Sequence, residues 1–220
     1  MYSNNVYKHC HYRLLFIKDH RKVQQERKMR ILVIHPNDPS TQFLCRLYED
    51  LPNVTKLTEK NSNSEITEAL QHGNYDLYMF LGHGGEDGLY APNGSQQFGR
   101  HIINSNHVQF MRGKTCFGIW CNANIFAVKY SLTGIFTGMV ISEIIEAYMR
   151  NIPVKDQEEM TAHDELWCGA LKDCYNNTSL VLVPEKMYHY INDKFKRYMT
   201  PLEEFNFNSI WYFDEGEEIY

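Results

Sequence analysis

Short apolar runs alternate with longer amphipathic stretches along most of the chain. Apolar runs of this length, closed by Pro, Gly or Asn, are typical of strands buried on both faces of a sheet. The pattern therefore predicts strands, with a weaker candidate at 54–59. The stronger ones cover 30–35, 76–82, 114–121, 132–138, 179–184 and 209–213.

The stretches between these runs carry apolar residues at intervals of three or four positions, a spacing that predicts helices. The stretch 156–175 shows it best, with one stripe formed by Met160, His163, Trp167, Leu171 and Cys174. The other predicted helices cover 40–51, 61–72, 104–113, 123–130, 139–150 and 187–199. Since strands and helices alternate, we expect an α/β fold with three layers, α/β/α, around a mostly parallel sheet.

Charge is distributed unevenly between the start of the chain and the rest. Residues 1–30 carry 8 Lys and Arg against 2 Asp and Glu, whereas the whole chain has a net charge of -5. Met29 opens the first strand pattern, so we predict a basic N-terminal extension over 1–28, poorly ordered, and a single domain over 29–220. A basic arm can also bind nucleic acid or a membrane surface. The extension does not resemble a signal peptide, because its apolar run "LLFI" is too short.

Cysteine spacing and hydropathy exclude several classes of protein. Six cysteines without a secretory signal do not form a disulfide framework, and their spacing does not fit a zinc site. No apolar run approaches the roughly 20 residues that cross a bilayer. We therefore expect a cytoplasmic protein with no metal, no nucleic-acid partner and no membrane partner.

Two of the predicted strands end in residues that can carry chemistry. "YDLYMFLGHGG" ends at His83, and "TCFGIWCNAN" places Cys121 at the end of the next apolar run. The 38 residues between them can form a crossover between neighbouring parallel strands, whose carboxyl ends lie about 4.8 Å apart. We therefore expect the two side chains to share one cleft, where the imidazole can accept the thiol proton.

Backbone N–H groups beside these side chains could hold a substrate oxyanion. We assign this role to the N–H groups of Gly84 and Cys121. The plainer interpretation is that His-Gly forms a turn and that a cysteine in an apolar strand is core, as we expect for Cys116.

The two motifs together resemble those of the caspase-like cysteine peptidases of clan CD, the group that contains caspases, metacaspases, legumains and gingipains. In that group an apolar strand ends in His-Gly and a later one ends in the nucleophilic Cys. The resemblance, which covers about 29–150, implies a cysteine endopeptidase with a Cys121/His83 dyad, a peptide or protein substrate and no cofactor. A catalytically inactive member that serves as an interaction or scaffold protein is the alternative. The chain departs from caspases at the cysteine, with Ile-Trp-Cys-Asn-Ala where they have Gln-Ala-Cys. The resemblance indicates neither which substrate residue precedes the cleaved bond (P1) nor the oligomeric state.

Other polar residues near the motifs have two interpretations each. Glu86 and Asp87 could bind a basic P1 side chain or be solvated turn residues. Asn122 could contact the substrate or cap the helix that begins at 123. Trp120 should face away from Cys121, into the core. The loop "GHGGEDG" could cradle a phosphate, but a dinucleotide site would run directly into a helix, and we predict a hairpin here.

Overall fold

A seven-stranded sheet forms the centre of the computed structural model, which describes residues 29–92 and 99–219. The strand order is β10-β9-β8-β7-β3-β1-β2. Its strands are β1 (Ile31–Ile34), β2 (Val54–Leu57), β3 (Leu77–Leu81), β7 (Thr115–Ile119), β8 (Thr133–Thr137), β9 (Ile210–Asp214) and β10 (Glu217–Glu218). The predictions for 1–28 and for a single domain ending at Tyr220 fall wholly or partly outside the described residues and stay predictions.

Five adjacent strands of this sheet are parallel. β3 pairs with β1 and β7 in parallel, β1 with β2, and β7 with β8. β9 and β10 are antiparallel additions beyond β8. The mostly parallel sheet is confirmed, and a separate three-stranded sheet consists of β4 (Gly84–Gly85), β5 (Gly88–Tyr90) and β6 (His101–Ile103).

Helices cover both faces of the large sheet. They are α1 (Pro39–Leu47, a 3₁₀ helix), α2 (Asn63–His72), α3 (Val108–Met111), α4 (Ala123–Tyr130), α5 (Ile144–Met149), α6 (Gln157–Asn177), α7 (Val183–Phe195) and α8 (Pro201–Phe207). The side chains of α1, α6 and α7 share one apolar core with one face of the sheet. Those of α2, α3 and α4 share a second core with the other face. The three-layer α/β/α arrangement is therefore confirmed.

The long helix α6 confirms the prediction for 156–175. Its stripe residues Met160, Trp167 and Leu171 are fully buried. Asp156 caps its first turn by accepting from the Glu159 N–H at 3.0 Å. Within the described ranges, no helix combines the length and the apolarity that crossing a bilayer requires.

Several local predictions are wrong. The segment 179–184 is not a strand: it forms a 3₁₀ turn at Leu180–Leu182 and then begins α7. Pro184 is tolerated in the first turn of α7, because an N–H at that position would have no partner within the helix. The helix predicted over 139–150 begins only at Ile144. Helix α8 was not predicted at all, because seven residues are too few to show a periodic pattern.

Candidate active site

The ends of strands β3 and β7 lie side by side, as the sequence predicts. Leu81 pairs with Ile119 in the parallel ladder, and the Gly82 N–H donates to the Ile119 carbonyl at 3.1 Å. His83 and Cys121 therefore each follow a paired position by two residues. Both residues line one cleft at this edge of the sheet.

The cleft is small, with a cavity volume of about 30 Å³, and its lining residues come from four parts of the chain. Helix α1 forms one side, the ends of β3 and β7 form the floor, and the segment that leads into α5 forms the other side. The lining residues are Thr41, Phe43, Leu44, Gly82, His83, Ile119, Trp120, Cys121, Val140, Ser142 and Glu146. Glu146 is the only carboxylate among them.

The Cys121 thiol is half-buried and protonated at rest. Burial raises the pKa of this thiol, and the negative charge of Glu146 raises it further. The Val140 N–H, which faces the sulfur, and the Arg150 charge oppose these effects more weakly. Within the described ranges, no hydrogen bond joins the sulfur to His83; contacts of this kind commonly tighten only when substrate is bound.

The His83 imidazole is bound instead by a serine and an aspartate from the start of α1. Its Nε2 lies 2.6 Å from the Ser40 hydroxyl, which donates to Asp38 Oδ1 at 2.8 Å. The same carboxylate oxygen lies 4.0 Å from His83 Nε2. Asp38 also caps α1, because it accepts from the Ser40 N–H at 3.0 Å.

Trp120 connects the two strand ends. Its indole packs in the core with Phe126 and Phe136, as the alternation along β7 predicts. The indole Nε1–H donates to the Gly85 carbonyl at 3.0 Å. A Cβ on Gly84 would overlap the indole ring, so glycine is required here for packing as well as for any approach of substrate.

The two N–H groups predicted to hold an oxyanion are placed differently in the backbone. Within the described residues, the Cys121 N–H has no hydrogen-bond acceptor. Gly84 pairs with Leu89 in the β4–β5 hairpin. The Tyr90 N–H donates to the His83 carbonyl, so His83 and Tyr90 form a hydrogen-bonded pair. Pairs in an antiparallel ladder alternate, and Gly84 with Leu89 is therefore a non-hydrogen-bonded pair. In such a pair the N–H groups point away from the partner strand, so the Gly84 N–H does not donate to Leu89.

The remaining predicted residues do not line the cleft. Glu86 and Asp87 are exposed at the tip of the β4–β5 hairpin, where Asp87 forms an ion pair with Lys129 at 3.3 Å. Asn122 is exposed and precedes α4 with a left-handed φ of 64°, and its side chain makes no capping hydrogen bond. The hairpin itself excludes the strand–loop–helix order of a dinucleotide site.

Two sequence interpretations of core residues are confirmed. Cys116 is completely buried inside β7, and burial raises the pKa of its thiol to about 12. His163 packs in the interior, with its Nε2 2.8 Å from Asn206 Nδ2. In the part of the chain that the structure describes, no group of three or more His, Cys, Asp or Glu residues is placed to hold a metal ion.

Asp38, Ser40 and Glu146 are site residues that were not predicted from the sequence. The first two lie in "PNDPS", which begins one residue after strand β1 ends, so their position beyond the carboxyl end of an interior strand was a usable signal. No such signal marked Glu146. The sequence places it inside a helix predicted over 139–150, whereas the helix begins only at Ile144.

Comparison with known proteins does not assign the chain to a family. No family model matches the chain, and no curated protein matches it. Among solved structures, a complex of the pro- and mature domains of RgpB from Porphyromonas gingivalis is similar, at 14% sequence identity and a TM-score of 0.44. The similarity covers 90% of this chain and 52% of that one, so the chain spans about half the length of this neighbour.

Proposed function

We propose that this protein is a cysteine endopeptidase of the caspase-like type, in which Cys121 attacks the peptide carbonyl and His83 transfers the proton. The observation that carries the proposal is that His83 and Cys121 line one cleft at the ends of the adjacent strands β3 and β7. The sequence resemblance of "LGHGG" and "IWCNAN" to the two motifs of that group supports the same roles.

The reaction begins from a neutral thiol, because burial and Glu146 raise the pKa of Cys121. His83 therefore accepts the proton as the sulfur attacks, and the new C–S bond places a negative charge on the substrate oxygen. We assign two donors to that oxygen: the N–H of Cys121, which has no acceptor among the described residues, and the outward-facing N–H of Gly84. The imidazolium then protonates the leaving amine, and water hydrolyses the resulting thioester.

Glu146 suggests the kind of side chain that the cleft accepts. Among the described residues that line the cleft, Glu146 is the only carboxylate, and the others are mostly apolar. We propose that Glu146 binds a basic substrate side chain, the role that the sequence predicts for Glu86 and Asp87.

Mass-spectrometric mapping of cleavage sites in a random peptide library tests this function. We expect the wild-type protein to cleave peptides, with enrichment of Lys or Arg before the scissile bond, and Cys121→Ala to lose the cleavage. Cys45→Ala is the matched control, because Cys45 is also half-buried but does not line the cleft. Equal cleavage by wild type and Cys121→Ala would refute the proposal.

A non-catalytic binding function is the second candidate. It is favoured by the raised pKa of the Cys121 thiol and by the Ser40 hydroxyl on the imidazole. It predicts that no library peptide is cleaved and that Cys121→Ala leaves every partner interaction unchanged.

A further inference from the structure

The contact between Ser40 and His83 determines which imidazole nitrogen carries the proton. The Ser40 hydroxyl has one hydrogen, and Asp38 Oδ1 accepts it at 2.8 Å. A carboxylate can only accept, so the short 2.6 Å contact to His83 Nε2 requires that Nε2 be the donor. The neutral ring is then protonated on Nε2, and its Nδ1 is left with a free lone pair.

Nδ1 is also the nitrogen for which the described residues provide no hydrogen-bond partner. Within residues 29–92 and 99–219, no hydrogen bond reaches His83 Nδ1. His83 is one of the residues that line the cleft, and Cys121 is another. When the ring takes up a proton, the positive charge has Asp38 Oδ1 4.0 Å from Nε2 to stabilise it.

We propose that Ser40 is a positioning residue for His83. Its hydroxyl, held by Asp38, fixes the imidazole with the proton on Nε2, and so makes Nδ1 the base that receives the Cys121 proton. In this step the S–H bond breaks and an N–H bond forms at Nδ1. The proton transfer from Cys121 to Nδ1 rests on the proposed function. The assignment of the proton to Nε2 rests only on the hydrogen bonds of Ser40 and does not depend on that function.

The local structure allows Ser40 and Asp38 to be changed without removing the helix cap. The cap uses the backbone N–H of Ser40, which Ser40→Ala retains. Asn is also a good N-cap residue, so Asp38→Asn keeps the cap and removes the charge. Ser40→Thr retains the hydroxyl. Gln42→Ala is the control, because Gln42 lies exposed on the same helix α1 and does not line the cleft.

Nitrogen chemical shifts of the His83 ring give the first measurement, because they report the tautomer directly. We expect the Nε2–H tautomer in wild type, Ser40→Thr and Gln42→Ala, and a mixture of tautomers in Ser40→Ala. A wild-type ring protonated on Nδ1, or a tautomer unchanged in Ser40→Ala, would overturn the inference.

The second measurement is the rate of a reaction at Cys121. If wild type cleaves a library peptide, kcat and KM are measured on that peptide. If it cleaves none, the rate at which iodoacetamide alkylates Cys121 is measured instead. We expect Ser40→Ala to lower kcat or the alkylation rate about tenfold or more, with KM within about twofold and recovery in Ser40→Thr. Unchanged rates in Ser40→Ala overturn the inference. Cleavage lost in Ser40→Ala but kept in Cys121→Ala makes Ser40 the nucleophile, which overturns both proposals. If Cys121→Ala and Ser40→Ala both cleave like wild type, the proposed function and the positioning role both fail.

Discussion

The indole of Trp120 lies against Gly84, so the residue before the thiol packs on the residue after the imidazole. The indole also donates to the carbonyl of Gly85. This contact ties the β4–β5 hairpin, which follows His83, to the end of β7. The relative position of the two strand ends is therefore set by packing as well as by the sheet.

Substitution of Gly84 should disturb both stability and the site. A Cβ in Gly84→Ala would overlap the Trp120 ring and would lie 2.7 Å from the Gly88 carbonyl oxygen. We expect the free energy of unfolding to fall by about 2 kcal/mol or more, as in other overpacked sites. Urea titration measures this change.

Gly169→Ala is the matched control for this experiment. A Cβ at Gly169 meets nothing within 4 Å, and Gly169 lies within helix α6. We expect this variant to be as stable as wild type or more stable, by up to about 1 kcal/mol. Equal effects of the two substitutions would contradict the packing role of Gly84.

Removal of the Glu146 charge should make Cys121 more reactive. The negative charge of Glu146 raises the pKa of the thiol, so Glu146→Gln should lower that pKa and increase the thiolate fraction. Gln can also keep the hydrogen bonds that Glu146 accepts from the Ser142 and Glu143 N–H groups. We expect iodoacetamide to alkylate Cys121 about two- to fivefold faster at pH 8.

Peptide mapping separates Cys121 from the other cysteines in this assay. Glu158→Gln serves as the control, since it removes the same charge from an exposed position in α6. A Glu146→Gln protein that reacts at the wild-type rate, or more slowly, would show that the carboxylate does not act on the thiol.

The buried Asp164 should make the protein less stable as the pH rises. Burial, and then the charge of Glu146, raise the pKa of Asp164 from 3.8 to about 8. Between these values the unfolded chain releases the proton while the folded protein retains it. This group therefore lowers the free energy of unfolding by about 1.4 kcal/mol for each pH unit in that interval.

Asp164→Asn removes this dependence. We expect the stability of the variant relative to wild type to improve by about 2–3 kcal/mol between pH 5 and pH 7, measured by urea titration at both pH values. Asp193→Asn, which changes an exposed carboxylate of α7, should show no such improvement. If the two variants behave alike, Asp164 is already ionised in the folded protein.

The sequence predicts the sheet well because its central strands are buried on both faces. Runs such as "LYMFL" and "TCFGI" fit strands that are buried on both faces of a parallel sheet, and the ends of these strands fix where His83 and Cys121 lie. The prediction of a strand at 179–184 is wrong, because the apolar residues of this segment lead into helix α7 and form part of the buried face of that helix. A short apolar run does not distinguish a buried strand from the start of a buried helix.

The contacts of the site are less predictable than its position. Ser40 reaches His83 across 43 residues of sequence, through the geometry of a 3₁₀ helix that the sequence predicts only as a helix. Glu146 reaches the cleft because the segment before α5 is not helical. Both contacts depend on local turns, which apolar patterns do not encode.

The rate at which iodoacetamide alkylates Cys121 in wild type and in His83→Ala, at pH 7.5, is the most direct test of the proposed pairing of thiol and imidazole. If His83 accepts the thiol proton, the loss of the imidazole should slow alkylation of Cys121 about tenfold or more, while Cys45 reacts at an unchanged rate. Equal rates at Cys121 in the two proteins would contradict the pairing.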